Sequence, residues 1–330
     1  MVIYNNSVSF FAAIDIGSNT IRLLIGNVRD KSINDILYER RITRLAEGVN
    51  QFGKLRAENI EASLLVLREF SSLIERKGVK TVCAVATSAL REANNADIFI
   101  GKVHNETGIS IKVISGEKEA ELTMKGILLS FSNSSFMSSP SLIFDIGGGS
   151  TEWILCRDMH PAGMGSIPVG VVKLHEKFIK SDPVSVADVS ELESEILLQL
   201  GILNEKIGHH INRETIFIGT AGTFTTLAAI DLKLEIYDRD KVHLHRIPLS
   251  RFYDMRKKLF ALSLKERKRV KGLEPGRADL IIPGIQFTIR TMEFFKFDEL
   301  IVSEYGLLEG LLLEAIQEKN EKGIPETLKP

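Results

Sequence analysis

The sequence predicts an α/β protein made of two similar units with a cleft between them, and three observations lead there. The chain has 330 residues, the length of about two domains. Short β-rich apolar runs alternate with longer segments of helical period. And one local pattern occurs twice: Asp15-Ile-Gly17-Ser18-Asn19-Thr20-Ile-Arg22 within residues 12–25 falls on Asp145-Ile-Gly147-Gly148-Gly149-Ser150-Thr151-Glu152 within residues 142–155. The expected division is a first unit over 1–130, joined by a closing helix within 305–330, and a second over 131–304.

The second copy carries the chemistry most openly. Three glycines between two apolar runs let the backbone turn tightly and aim its N–H groups into one concavity, a nest for phosphate oxygens. Asp145 at the strand end and Glu152 beyond the turn add carboxylates, which suggests a hydrated Mg²⁺ bridging protein and phosphate. A lone Gly-rich hairpin carries no such meaning; two copies imply two phosphate loops facing each other, with Gly17, Ser18, Asn19 and Thr20 in one and Gly147, Gly148, Gly149 and Ser150 in the other.

Composition sets limits. Lys plus Arg is 42 and Asp plus Glu is 43, a formal net charge of -1, which argues against a non-specific nucleic-acid binder. An anionic ligand must then be held by local donors. Cys83 and Cys156 sit in apolar runs and read as small buried hydrophobes of a reducing compartment. Residues 1–10 lack the pattern of a signal peptide. No apolar run approaches the ~18 residues a membrane helix needs. Cytoplasm is the expected location.

In order, residues 10–16, 21–28 and 33–41 read as a three-strand meander with short connections. Arg22 shares a strand face with Thr20; it either reaches a phosphate or base at the cleft mouth or simply faces solvent. Ile60, Leu64, Leu67 and Ile74 place a helix over 57–77, stopped by Gly78. Residues 81–86 form a strand ending in Thr87-Ser88, which opens a helix whose N-terminus suits an anion, with Arg91 one turn in. A plain N-cap and a surface Arg fit that segment equally well. A helix over 96–107, with His104 at its surface, and a strand over 111–114 follow. Glu117, Glu119 and Glu121 lie in the first turns of the next helix, to about 130, where acidic residues also serve the helix dipole. The Ser-rich stretch 131–140 reads as a linker.

After the second loop, Pro168 and Gly170 lead into a helix, and 186–207 is a long one. A strand over 215–218 ends in Gly219-Thr220-Ala221-Gly222-Thr223 and opens an apolar helix. That third small-residue turn either admits a flat group or a phosphate or reflects close helix–strand packing. His243 and His245 alternate along a strand over 241–247, with no third ligand at sensible spacing for zinc. The basic run 265–271 is a solvated helix face or a track for a polyanion. A long apolar helix from Glu274 to about 295, a strand over 300–303, a helix over 306–319 and a frayed tail complete the chain.

With its three turns and Ser115-Gly116-x-x-Glu119-Ala120, the chain resembles the exopolyphosphatase/guanosine pentaphosphate phosphohydrolase family, within the actin, sugar kinase and Hsp70 superfamily. The resemblance implies two ribonuclease-H-like domains with the site in the cleft between them. It implies hydrolysis of a terminal phosphoanhydride of polyphosphate or guanosine pentaphosphate, with Mg²⁺, and recognition of guanosine tetraphosphate as a ligand. Glu119 becomes the general base, Asp145 a metal ligand with Asp15 and Glu152 nearby, and Thr87 and Arg91 phosphate holders. Arg22 and Arg277, with Gly219, Thr220 and Gly222, become nucleotide contacts; the basic run leans instead toward polyphosphate. Val242-His243-Leu244 departs from the family's Val-His-Gly stretch, and the C-terminal helical domain of long members has no counterpart here. A homodimer is implied; specific nucleic acid and membrane partners are not. A non-catalytic sensor of the same polyanions, or a kinase of the superfamily, is the alternative.

Overall fold

The computed structural model describes residues 10–29, 32–131 and 139–322; residues 132–138 of the expected linker and the tail 323–330 lie outside them. The first sheet holds β1 (Phe11–Ile16), β2 (Thr20–Arg29), β3 (Ser32–Ile42), β4 (Thr81–Ala86) and β5 (Ile111–Val113), in the order β3-β2-β1-β4-β5. The second holds β6 (Ser141–Ile146), β7 (Thr151–Arg157), β8 (His160–Ile167), β9 (Ile216–Thr220), β10 (Arg246–Pro248) and β11 (Glu299–Val302), in the order β10-β11-β9-β6-β7-β8. Tight turns force β1, β2 and β3 into an antiparallel meander, and helical crossovers make β4 parallel to β1. The second sheet repeats the scheme: β6, β7 and β8 are antiparallel, and β9 is parallel to β6. The architecture is therefore α/β with two ribonuclease-H-like sheets.

Strand alternation sorts side chains into layers. Ala12, Ile14 and Ile16 of β1 enter an outer core with Ile60, Leu64, Leu67 and Phe70 of helix Ala57–Arg76, while Phe11 and Ala13 face the other way, toward Leu307, Leu308 and Leu311. In β6, Leu142, Phe144 and Ile146 face an outer core and Ile143 faces Ala120, Met124 and Ile127. Full burial of each Ile, Leu, Phe or Met among them is worth roughly 1.5–3 kcal/mol, and of each Ala less. Helix Gly116–Phe131 thus lies on the second sheet and helix Leu307–Lys322 on the first, and the two pack against each other between the sheets. Glycines let them meet: a methyl added at Gly126 would stand 2.0 Å from the carbonyl oxygen of Gly306, and one at Gly310 1.8 Å from that of Leu122.

Several expectations are corrected. Strand β8 was not anticipated. His243 and His245 do not share a strand face: Arg239–Val242 is a helical turn, Leu244 is left-handed at φ 62, and the strand covers only Arg246–Pro248. Their nitrogens serve different partners, the Glu304 backbone N–H and the Asp231 carboxylate. The basic run is no solvated face throughout, since Arg267 is buried, donating to the Leu262 and Ala278 carbonyls and pairing with Asp182. The segment after Glu274 begins as a 3₁₀ turn, Pro275–Arg277, and the α-helix is Ile281–Phe295. Among the described residues, no helix is long and apolar enough to cross a membrane.

Candidate active site

The repeated loops have the same closure. The Gly17 N–H donates to the Thr20 carbonyl at 3.1 Å, and the Gly147 N–H donates to the Ser150 carbonyl at 3.0 Å. Register carries the equivalence into the sheets: Asp15 stands opposite Arg22 across β1 and β2, as Asp145 stands opposite Glu152 across β6 and β7. Arg22 in turn faces Arg40 on β3, and Glu152 faces Ser166 on β8. Asp15 and Asp145 follow the inward faces of their strands, so both point into the space between the sheets.

The loops meet across that space. A methyl added at Gly148 would lie 2.7 Å from Ser18 Cβ, and one at Gly149 2.2 Å from Ser88 Oγ. The loops line a cavity of about 90 Å³ together with Thr87, Glu119, Gly222 and Arg277. Contacts lining a neighbouring pocket hold the two sides together: Arg44 is bidentate to Asp279 at 2.7 and 2.9 Å, and the Gly48 N–H donates to Glu176 at 2.7 Å.

Four carboxylates gather here, none more than 7% exposed: Asp15, Glu119 and Asp145 line the cavity, and Glu152 lies behind its wall. Arg22 donates to Asp15 Oδ2 at 2.6 and 2.8 Å. Arg91 donates to Glu119 Oε2 at 2.8 Å and, from its other terminal nitrogen, to Ser150 Oγ at 3.2 Å. Two guanidiniums against four acids leave excess negative charge in a dry place. Burial, then the Glu152 charge, pushes Glu119 well above the ordinary carboxylate range, with Arg91 opposing. Burial lifts Asp145 to about 6, and burial followed by the Asp145 charge lifts Glu152 to about 8.

These acids bear on a divalent cation. Asp15 Oδ1 and Glu152 Oε2 are buried without a hydrogen-bond partner. Buried carboxylate oxygens left so are costly unless protonated or bound to a cation. Among the described residues, no group of three His, Cys, Asp or Glu side chains is placed to hold an ion by itself. Mg²⁺ asks for less: one or two carboxylates, with water and substrate phosphate completing the shell. The acids present fit that pattern and not an all-protein cage.

The remaining expected residues divide. Arg277 donates to Thr20 Oγ1 at 2.9 Å, and its guanidinium lies on Gly222, where an added methyl would meet it at 2.2 Å. Arg91 and Glu152 stand behind the cavity wall, tied to residues that line it. Gly219 and Thr220 do not line it. The Phe224 ring occupies the space a Gly219 side chain would need, and Thr220 donates to the Tyr305 carbonyl. Sequence reasoning passed over Tyr38, Arg40, Tyr237 and Glu304, which line the outer part. There Arg40 stacks on Tyr237 at 4.3 Å and Arg239 on Tyr38 at 4.0 Å, a reciprocal pair of cation–π contacts across the cleft.

The model of the Ppx/GppA phosphatase family matches residues 24–319. A bifunctional 3-dehydroquinate synthase/phosphatase of Fusobacterium nucleatum is 34% identical over 93% of this chain, which spans 47% of that relative. Exopolyphosphatase 2 of Mycobacterium tuberculosis is 31% identical over 92% of this chain and 97% of its own length. A guanosine-5'-triphosphate,3'-diphosphate pyrophosphatase of Vibrio vulnificus is 27% identical over 95% of this chain and 61% of its own. Thus the chain spans about half to two thirds of some relatives and nearly all of another. The crystal structure of the Aquifex aeolicus Ppx/GppA family member superposes with a TM-score of 0.77 at 32% identity, covering 94% of this chain and 99% of that one.

Proposed function

The chain belongs to the Ppx/GppA phosphatase family, and from that premise we propose that it releases orthophosphate from the end of a phosphoanhydride chain, inorganic polyphosphate or guanosine pentaphosphate. The observation that supports this most is the placement of Glu119: buried, held by Arg91, and lining one cavity with both glycine loops. Backbone N–H groups of the loops bind and orient the terminal phosphate. Glu119 orients the attacking water and takes its proton. A carboxylate whose pKa burial raises is a stronger base than an exposed one, and Arg91 opposes that rise. Asp145 and Glu152 are the residues that would hold Mg²⁺, with Asp15 beside them; the ion supplies charge neutralisation on phosphate oxygens. Parting and closing of the two sides around substrate, as in other cleft enzymes, belongs to the same proposal. A cytoplasmic homodimer belongs to the same proposal.

The test is phosphate release from polyphosphate and from guanosine pentaphosphate, with Mg²⁺ and with chelator, for the unmodified protein and Glu119→Gln. Loss of the base should lower kcat about 10²–10⁴-fold, with substrate affinity by calorimetry retained. Turnover of Glu119→Gln at the unmodified rate would reject the assignment of the base. No release from either substrate by the unmodified protein would reject the activity.

A further inference from the structure

Arg40, a residue without a part in the chemistry above, has an unusual setting. It stands directly opposite Arg22 across β2 and β3. Like charges so placed repel at about 5 Å and weaken a sheet unless something anionic lies between or over them. A third guanidinium, that of Arg277, comes from the opposite side of the cleft and lines the same cavity. Burial, and then the Arg40 charge, lowers the Arg277 guanidinium below its ordinary value. Arg22 has its own carboxylate in Asp15. Arg40 and Arg277 share one: Glu274 Oε2 lies 3.2 Å from Arg40 Nη2 and 3.5 Å from Arg277 Nε. That shared oxygen is buried and makes no hydrogen bond, and neither does Arg277 Nε. A single acid thus sits between two guanidiniums, close enough for attraction and too poorly aligned to satisfy either. Well-formed guanidinium–carboxylate pairs are bidentate and shorter.

We propose that Arg40 extends the contact which the family resemblance already gives Arg277 into an anion subsite at the outer end of the cleft, taking a phosphate group of the substrate away from the bond that breaks, and that Glu274 fills this subsite as an internal stand-in until substrate arrives. The proposal rests on the phosphoanhydride reading above. A tetrahedral phosphate offers each guanidinium its own oxygens, which the single Glu274 oxygen does not. Substrate then gains by releasing Glu274 to water, and because Arg40 and Arg277 come from opposite sides, the phosphate bridges the cleft as it displaces the acid. Glu274 is half-open to solvent on its other side, with 36% of its side chain exposed, so it has somewhere to go.

The experiment compares pyrophosphate, tripolyphosphate, long polyphosphate and guanosine pentaphosphate for the unmodified protein, Arg40→Ala, Arg40→Lys and Glu274→Gln, with thermal melts of each. Loss of one charged hydrogen-bonding partner should raise KM for the longer substrates about tenfold or more in Arg40→Ala, with an effect that grows with the number of phosphates. Arg40→Lys should recover part of it, and Glu274→Gln should lower KM for the same substrates. Equal effects on polyphosphate and guanosine pentaphosphate place the phosphate chain in the subsite; an effect on the guanosine substrate alone places its 3'-diphosphate there. An Arg40→Ala effect that ignores chain length, or a Glu274→Gln variant that binds no tighter, overturns the proposal. Should the unmodified protein release no phosphate from any substrate, the activity reading fails by itself. Calorimetry with tripolyphosphate then decides the subsite: weakening in Arg40→Ala with tightening in Glu274→Gln supports it, and unchanged affinity in both refutes it.

Discussion

Replacing Gly170 by alanine should disable the second phosphate loop while leaving the fold standing. Gly170 precedes helix Val171–Phe178 and has φ -141 and ψ 168, extended values open to any residue. What the site lacks is room. A Cβ there would lie 2.4 Å from both the carbonyl carbon and oxygen of Gly148 and 2.5 Å from the Gly149 nitrogen. Ordinary contact begins at 3.4 Å, so the shortfall is 3.4 − 2.4, about 1 Å, and the obstacle is backbone that cannot rotate away. The loop is also tied to the helix that would push it, because Val171 and Val172 donate to the Gly147 and Gly148 carbonyls at 3.0 and 2.8 Å. Overpacking of this kind costs about 1–3 kcal/mol of stability. A displacement of about 1 Å in a positioning element can cost about 10²-fold in rate, or about 2.7 kcal/mol of barrier. The assay is steady-state phosphate release beside a thermal melt. Gly101→Ala, a mid-helix glycine with nothing within 4 Å of the added methyl, is the control expected to leave kcat unchanged and to raise stability by about 0.5–1 kcal/mol. A folded Gly170→Ala protein with unmodified kcat would refute the claim that residues 147–149 position the phosphate.

Two further outcomes follow from the same structure. Gly310→Ala should destabilise the protein by about 1–3 kcal/mol or more, because its methyl would meet the Leu122 carbonyl at 1.8 Å between two helices that both carry buried faces; a melt unchanged from the unmodified protein would mean the helices can separate freely. Stability should also fall as pH rises from 6.5 to 8 in the presence of a chelator. Glu152 is lifted from an ordinary 4.5 to about 8, so the folded state keeps a proton the unfolded chain releases, and the slope of stability against pH is negative across that window. His243, held by burial near 4 against an ordinary 6.5, has the opposite sign but acts only below 6.5. Glu152→Gln should flatten the decline; an equally steep decline in that variant would show that other groups cause it.

How much of this was legible in the residues depended on whether the signal was local. The paired loops were, because Asp-Ile-Gly followed by small residues dictates a turn wherever it stands, and Asp15 and Asp145 come with it. Glu119 was placed by resemblance rather than by pattern, since three acids share one helical turn and only the fold decides which one enters the cavity. Strand β8 escaped because Gly163 and Gly165 replace the apolar residues that would have marked it; their missing side chains make room for the Trp153 ring, which a methyl at Gly165 would meet at 3.0 Å. Gly219 misled for a related reason: a glycine before a helix looks like room for a ligand, and here it is room for Phe224. Arg40, Tyr237 and Glu304 carry no local mark at all. They matter only because strand register and chain return bring them to one end of the cleft, information that lies in pairing and not in any window of sequence.

The two three-strand rows, Asp15–Arg22–Arg40 and Asp145–Glu152–Ser166, share one ground plan and differ in sign. The unlike pair brings a cationic wall against an acidic one. Divergence at two positions of that plan, Arg22 against Glu152 and Arg40 against Ser166, therefore gives the cleft two unlike walls that neither half supplies alone.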